Sequence, residues 1–331
     1  MKILVTGATG FLGQRVARRL LAEGHRVNAF TRPGRRLDLP GAAAFEGDLC
    51  GGDDIERAVG TAEAVVHCAA RVQTTGPWAE FEATNIEATR RVIAAADGRP
   101  LVHVSSLSVY DVRRDGDTIT EDSPYESGAA ERGFYSRSKL LADQVAMAAA
   151  EKGAPVTIVR PGVLYGASRR PPLARQSIAA GPFRFILGKP NYLLPLAHVD
   201  NVADAIALAL ARPAARGRAY TLVDPQIGMG DYLSIYRGVA GAGWRPLFVP
   251  TAPLLPLVAI AAAGFRLIGR RSPVTAHQIQ RATWSARYDC SRAREELGWT
   301  SRVSLYDGLR QSLARPTEAG AAALVSPRVA E

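Results

Sequence analysis

The chain has 331 residues, of which 47% are hydrophobic and 22% are charged. The length suits one large domain or two smaller ones, and the composition is that of a folded globular protein, which excludes disorder for the body of the chain. The formal net charge is +10, but nearly all the basic residues are arginines spread along the sequence. No dense basic run is interleaved with aromatic residues, so we expect no nucleic-acid partner.

The cysteines, the amino terminus and the longest apolar stretch bear on the cellular setting. Cys50, Cys68 and Cys290 are far apart and lack a CxxC spacing, so we expect reduced thiols, no metal site and a cytoplasmic protein. Glycine interrupts the first apolar residues at once, unlike a signal peptide. Residues 251–268 are apolar but short and broken by proline, so they predict no transmembrane span. We expect a buried helix there, or alternatively one in peripheral contact with a membrane.

Short apolar runs and helical periodicities alternate through the first half of the chain. Strands are predicted at residues 2–6, 26–30, 42–46, 64–68, 101–105 and 156–160, and helices at 11–22, 55–60, 80–96 and 135–152. This alternation predicts an α/β fold with a Rossmann-type doubly wound parallel sheet.

The alternation stops near residue 166, after which prolines become frequent. We predict a dinucleotide-binding Rossmann domain at residues 1–166, to which residues 196–224 return. A smaller C-terminal substrate-binding portion follows at residues 167–315. Residues 316–331 contain few large apolar residues and predict a flexible tail.

A glycine-rich segment joins the first strand to the first helix. Its glycines allow a tight turn, close approach of the backbone to a pyrophosphate, and close packing of the helix on the strand. The free N–H groups at the start of the helix favour phosphate. The predicted phosphate-binding residues are Thr6, Gly7, Thr9, Gly10, Phe11, Leu12 and Gly13.

The end of the second strand decides between two forms of the cofactor. A carboxylate about 20 residues after the glycines would bind the adenosine ribose hydroxyls. This chain instead has Thr31 and Arg32, followed by Arg35 and Arg36. Guanidinium groups bind a 2′-phosphate well, so we predict NADP in preference to NAD.

A tyrosine, a lysine and a serine predict the catalytic site. Tyr135 and Lys139 are four residues apart and so share one helical face. A free tyrosine is a poor base at neutral pH, and a neighbouring ammonium lowers its pKa. Ser106 ends a strand at the carboxyl edge of the sheet, where it could hold and polarise a substrate oxygen.

These segments together resemble the extended short-chain dehydrogenase/reductases. The motifs are TGATGFLG from Thr6, GDL from Gly47, VVHCAA from Val65, TN from Thr84, SSLSVY from Ser105, YSRSK from Tyr135, RPGVLYG from Arg160 and HVDNVADA from His198. The resemblance implies that Tyr135 is the acid/base, Lys139 its partner and Ser106 the substrate-oxygen holder. It also implies a homodimer that pairs through the helices at about 80–96 and 135–152. The further cofactor contacts that it implies are Asp48, Leu49, Cys68, Ala69, Ala70, Asn85, Pro161, Gly162 and Val163.

Within this family two activities compete. Nucleotide-sugar epimerases and dehydratases usually carry an asparagine in the segment that matches residues 160–166, and this chain has none there. The segment HVDN from His198 has Asn201 where the sugar enzymes often have Asp. In this it resembles the 3β-hydroxysteroid dehydrogenase-like branch, whose substrates are apolar. We therefore predict interconversion of a ketone and a secondary alcohol on an apolar, steroid-like or β-keto lipid-like, substrate. An epimerase or dehydratase and a non-catalytic cofactor-sensing protein remain as alternatives.

Overall fold

The protein was analysed as a computed structural model, which describes residues 1–73, 75–129, 133–169, 171, 177–267, 269 and 284–314. The predicted tail at residues 316–331 lies outside the described residues.

The strands and helices are numbered here in chain order. The strands are β1 (Lys2–Thr6), β2 (Arg26–Thr31), β3 (Ala43–Glu46), β4 (Ala64–His67), β5 (Leu101–Val104), β6 (Asp117–Ile119), β7 (Val156–Pro161), β8 (Val163–Tyr165), β9 (Ser177–Ala180), β10 (Phe183–Leu187), β11 (Leu193–His198), β12 (Ala219–Leu222), β13 (Gln226–Gly228), β14 (Arg245–Val249) and β15 (Ala286–Tyr288). The α-helices are α1 (Phe11–Ala22), α2 (Asp54–Gly60), α3 (Trp78–Phe81), α4 (Ala88–Ala96), α5 (Phe134–Glu151), α6 (Val199–Ala211), α7 (Met229–Ala240), α8 (Leu254–Leu267), α9 (Ser291–Leu297) and α10 (Leu305–Leu313). A π-helix spans Glu82–Glu87, and 3₁₀ turns span Leu107–Val109 and Pro213–Ala215.

A seven-stranded sheet forms the centre of the molecule. Its order is β12-β7-β5-β4-β1-β2-β3, and every neighbouring pair is parallel. Helices cover both faces, so alternate residues of one strand enter different cores: Ile3 and Val5 pack with α1 and α6, while Leu4 packs with α2 and α4. The order reverses between β1 and β4, as in a doubly wound Rossmann fold, which confirms the predicted fold class.

The later part of the chain forms smaller sheets. These have the orders β14-β10-β9, β13-β11-β8 and β15-β6. A separate apolar cluster lies here and includes Tyr165, Ile186, Leu194, Tyr232 and Leu309. The strand β12 and the helix α6 join the Rossmann body, at the sheet edge and against α1 respectively.

The helix expected at residues 80–96 is divided differently in the structure. It comprises α3, the π-helix and α4 in direct succession. The hydroxyl of Thr89 donates a hydrogen bond of 2.7 Å to the carbonyl oxygen of Asn85, the acceptor that an α-helix would give to the Thr89 N–H. Apolar periodicity does not record such a local change, and π-helical turns often occur at functional sites.

Residues 251–268 do form a helix over Leu254–Leu267, but the expectation that it is buried is wrong. None of its described side chains is fully buried, and Leu257 and Ile260 are 63% and 70% exposed. No other described helix or strand packs extensively against it. In the part of the chain that the structure describes, no helix combines the length and hydropathy needed to cross a bilayer.

Candidate active site

The predicted site segments converge because each follows a strand of the parallel sheet. The glycine-rich segment follows β1, Thr31 ends β2, and Asp48 comes soon after β3. Residues 68–70, 105–106 and 161–163 lie at the ends of β4, β5 and β7. All therefore lie at the carboxyl edge of the sheet, and the reversal between β1 and β4 opens the crevice in which ligands of such folds bind.

The glycine-rich segment is packed so closely that side chains are excluded. Gly7 has φ +68°, and a Cβ there would lie 2.8 Å from the backbone of Ala69. A Cβ on Gly13 would lie 2.2 Å from the carbonyl oxygen of Gly7. The helix α1 therefore starts directly against the turn, and its N–H groups can face a phosphate. This arrangement fits the pyrophosphate of a dinucleotide.

A buried chain of hydrogen bonds connects this segment to the π-helix. The amide of Ala69 donates to the Thr6 hydroxyl (3.3 Å), which donates to Nδ1 of His67 (2.7 Å). The Nε2–H of His67 then donates to the hydroxyl of Thr89 (3.0 Å), which donates to the Asn85 carbonyl. This direction requires neutral His67, and burial, with a smaller effect of Lys139, lowers the His67 pKa to about 3.

Asn85 extends the connection to the helix α5. Its amide oxygen accepts from the Arg71 N–H (2.6 Å), and its amide nitrogen donates to the Arg71 carbonyl (3.1 Å) and to the Ser138 hydroxyl (2.8 Å). Ser138 donates in turn to the Tyr135 carbonyl (2.9 Å). Asn85, expected as a cofactor contact, thus positions the segment after β4 relative to the first turn of α5.

Lys139 points from α5 to the end of β5. Its Nζ donates to the Val104 carbonyl at 2.7 Å, and only 3% of the residue is exposed. Burial lowers the pKa of the ammonium to about 8, while the Asp143 carboxylate acts in the opposite direction. Burial also raises the pKa of the Cys68 thiol to about 12, so this cysteine is uncharged.

Tyr135 and Ser106 lie on elements that are in contact. Tyr135 is half-buried in the first turn of α5, one turn before Lys139. Ser106 caps the 3₁₀ turn Leu107–Val109, accepting from the Ser108 N–H at 3.2 Å, and this turn packs against α5. The arrangement can present a hydroxyl, a phenol and an ammonium to one ligand at the carboxyl edge.

A buried ion pair that the sequence did not predict connects α5 to the strand β7 of the central sheet. Arg160 on β7 donates from Nε and Nη2 to the two carboxylate oxygens of Asp143, at 3.0 and 2.7 Å. It also donates to the hydroxyls of Tyr110 (3.0 Å) and Tyr125 (3.3 Å). Asp143 follows Lys139 by four residues, so the i, i+4, i+8 series from Tyr135 was the available signal. Its partner Arg160 lies on the strand β7, and no spacing in the sequence indicated that the two residues would meet.

The adenosine end of the crevice combines an unpaired hydroxyl with free cations. The Thr31 hydroxyl is buried and has no partner among the described residues. Arg32, Arg35 and Arg36 are exposed, and no ion pair with a described carboxylate involves them. Asp48 accepts from the Cys50 N–H at 2.9 Å and donates its own N–H to Asp54 at 3.0 Å. These features place a buried, unpaired hydroxyl and exposed positive charge just beyond the end of β2.

The remaining predicted positions lie at the other side of the crevice. Pro161 ends β7, Val163 begins β8 with 45% of its surface exposed, and the Gly162 N–H donates to the Leu222 carbonyl at 2.9 Å. His198 caps α6 by accepting from the Asp200 N–H at 3.3 Å. Across the described ranges, no three His, Cys, Asp or Glu side chains are grouped as metal ligands.

Comparisons with known proteins extend over nearly the whole chain. A model of the NAD dependent epimerase/dehydratase family matches residues 3–222. The 2-alkyl-3-oxoalkanoate reductase of Shewanella oneidensis is 26% identical over 329 residues, covering 93% of this chain and 84% of that protein. Sterol demethylase protein B of Methylococcus capsulatus is 30% identical over 316 residues, covering 90% of this chain and 93% of that protein. The crystal structure of gox2253 superposes with a TM-score of 0.82 at 27% identity, covering 94% of this chain and 96% of that one.

Proposed function

Because the chain belongs to the NAD dependent epimerase/dehydratase family, which confirms its resemblance to extended short-chain dehydrogenase/reductases, we propose a specific activity for it. The protein is an NAD(P)-dependent oxidoreductase that interconverts a ketone and a secondary alcohol on an apolar substrate. The observation that carries this proposal is the meeting of Ser106 and the Tyr135–Lys139 helix face beside the glycine-rich crevice.

In the reduction direction, each of the three residues has a separate task. The nicotinamide cofactor, held by the glycine-rich segment and the ends of β2 and β4, supplies the hydride when bound. The Ser106 hydroxyl donates a hydrogen bond to the substrate carbonyl oxygen and orients it. Tyr135 gives its phenolic proton to that oxygen, and the Lys139 ammonium stabilises the phenolate that remains. Oxidation reverses these transfers.

Two observations support an apolar substrate. The similar proteins include reductases of alkyl oxoalkanoates and a sterol demethylase protein. Residues 193–196 precede His198 with apolar side chains only and offer no cation for a sugar-nucleotide diphosphate. We assign substrate binding to residues 167–315, with residues 196–224 belonging to the Rossmann body.

The proposal is tested with the variant Tyr135→Phe. Removing the proton donor should lower kcat for hydrophobic ketones by about 10²–10⁴-fold while the Kd for the reduced cofactor stays unchanged. Stopped-flow oxidation of the cofactor and fluorescence titration measure the two quantities. Turnover close to wild type would refute the assignment of Tyr135. A wild-type protein that interconverts sugar nucleotides with no net cofactor oxidation would instead establish the epimerase alternative.

We further propose NADP as the preferred cofactor, because Arg32 lies free at the end of β2. The variant Arg32→Gln should raise the Kd for NADPH by about tenfold, the effect of losing one charge-assisted contact, and leave the Kd for NADH unchanged. Arg26→Gln, an exposed arginine at the opposite end of the same strand, is the matched control. Equal effects of Arg32→Gln on both cofactors would overturn the preference.

We also propose that the enzyme is a cytoplasmic homodimer. Its described cysteines form no disulfide, which suits a reducing compartment. The helices α4 and α5 pack together and leave a shallow groove lined by side chains including Ile86, Ile93, Leu141 and Val145. A groove with apolar side chains from two packed helices suits self-pairing about a twofold axis.

A further inference from the structure

The region between Asp231 and Asp289 has an unusual charge distribution. It contains no acidic residue, whereas seven arginines fall within it: Arg237, Arg245, Arg266, Arg270, Arg271, Arg281 and Arg287. These seven arginines, with no carboxylate between them in the sequence, correspond to most of the net charge of +10. A partner for this region must therefore tolerate or supply negative charge.

Two apolar surfaces are exposed within or beside the same region. On α8, Leu257 (63% exposed), Ile260 (70%) and Leu267 (89%) follow at intervals of three and seven residues and so share one helical face. Ala261 and Gly264 lie between them, so the apolar stripe is continuous. A helix with so little polar surface is normally covered, because large exposed apolar patches are rare on monomeric proteins.

The second apolar surface is one face of the sheet β9-β10-β14. Ile178, Phe185 and Leu247 are direct cross-strand neighbours and therefore point to the same side. They are 72%, 38% and 40% exposed. Arg245 pairs with Phe183 one row away and is also exposed. Only residues 250–253 separate β14 from α8, so both apolar surfaces belong to one part of the molecule.

We propose that this surface docks on the face of a bilayer that contains anionic lipid. The apolar stripe of α8 and the row Ile178, Phe185 and Leu247 enter the boundary between headgroups and acyl chains, and the exposed Arg245 beside that row pairs with lipid phosphate. A purely hydrophobic partner would not explain the absence of carboxylates over the whole region. The docking is peripheral and reversible, and it does not depend on the proposed catalytic activity.

The test is flotation of the full chain with vesicles of neutral phosphatidylcholine, either alone or mixed with about 30 mol% of the anionic lipid phosphatidylglycerol. Binding should be at least about tenfold stronger to the anionic vesicles and should weaken as salt is raised. The double variant Leu257→Ser/Ile260→Ser should lose about tenfold or more in binding, because two large aliphatic side chains no longer enter the bilayer. Arg245→Gln should weaken binding to the anionic vesicles only.

Matched controls separate docking from general surface effects. Tyr306→Ser removes another exposed large side chain, and Arg216→Gln another exposed arginine, and neither should change binding. Unchanged cofactor affinity shows that the α8 variant is folded, and Leu247→Ser on the sheet provides a second apolar variant. Absence of vesicle binding, or equal binding by wild type and both apolar variants, would overturn the proposal. So would a change in self-association, measured by sedimentation velocity, as the only effect of the α8 variant.

Discussion

Lys139 carries its amino group in a place that water scarcely reaches. Burial lowers its pKa from 10.5 to about 8, although the Asp143 carboxylate favours the charged form. The ammonium is useful beside Tyr135 but costs stability wherever it is protonated in the folded protein. Between pH 8 and 10.5 the unfolded chain binds a proton that the folded chain does not, so the free energy of unfolding rises with pH across this window.

The variant Lys139→Met should therefore be more stable than wild type at pH 7. Its advantage should shrink as the pH rises from 8 to 10.5, where wild-type lysine becomes neutral in both states. The difference in Tm between variant and wild type, measured at pH 7 and pH 10, checks this expectation. Lys152→Met, at an exposed position after α5, should show no such trend. An equal Tm difference for Lys139→Met at both pH values would contradict the burial cost.

Thr89 and Thr31 allow a controlled test of the buried hydrogen-bond chain. Thr89→Val removes a hydroxyl that both accepts from His67 and donates to Asn85, leaving a buried N–H without a partner. We expect a loss of about 1–3 kcal/mol in the free energy of unfolding. Thr31→Val removes a buried hydroxyl that already lacks a described partner, so its effect should lie within about 0.5 kcal/mol. Urea denaturation of the two variants without cofactor measures both free energies of unfolding. Equal losses would show that the buried hydrogen-bond chain contributes nothing to stability.

The residues of the candidate site differ in how far the sequence could predict them. Tyr135 and Lys139 were predictable from one spacing on one helix, and Gly7 and Gly13 from a local strand–turn–helix pattern. The partnership of Arg160 with Asp143 and that of His67 with Thr89 depend on strands and helices that meet only in the folded chain. A single sequence carries no periodic signal for such tertiary hydrogen bonds.

At the level of elements, the position of α5 depends on the Asp143–Arg160 pair. The side chains of Asp143 and Arg160 are only 0% and 2% exposed. Deleting the carboxylate therefore leaves a buried guanidinium without its counter-charge. Asp143→Ala should lower the free energy of unfolding by about 3–5 kcal/mol. Asp53→Asn, in the exposed Asp53–Arg57 pair of 3.4 Å at the start of α2, should cost less than about 1 kcal/mol. Chemical denaturation compares them, and similar small losses would mean that the buried pair does not anchor α5.

The predicted elements succeeded where burial and periodicity agree. The strand β4 is buried throughout, and α1 is amphipathic, so both were predicted close to their observed bounds. The π-helix Glu82–Glu87 was not predicted, because side-chain bonds at Asn85 and Thr89 decide it. The strand β6, which pairs with β15 far along the chain, was not predicted either, because its partner lies in a distant part of the sequence. The apolar composition of α8 predicted a helix but could not show that its apolar side chains would stay exposed.

At the scale of the whole molecule, the parallel sheet explains why distant segments form one site. Every strand of the central sheet ends at the same edge. The segments expected to bind the cofactor therefore lie together around the crevice between β1 and β4. The later part of the chain forms smaller, separate sheets, and our proposal assigns substrate binding to it. The proposed membrane-docking surface lies on this later part, and the groove between α4 and α5 lies on the Rossmann body.

The groove between α4 and α5 makes a final prediction about assembly. If two copies pair there, a long charged side chain at Ala148, which is exposed in α5 and lines the groove, must clash with the partner. Ala148→Arg should convert a dimer to a monomer, whereas Ala22→Arg, at an exposed alanine on α1, should not. Sedimentation velocity measures the mass of each. A dimer that persists in Ala148→Arg would place the interface elsewhere, and a monomeric wild type would remove the dimer altogether.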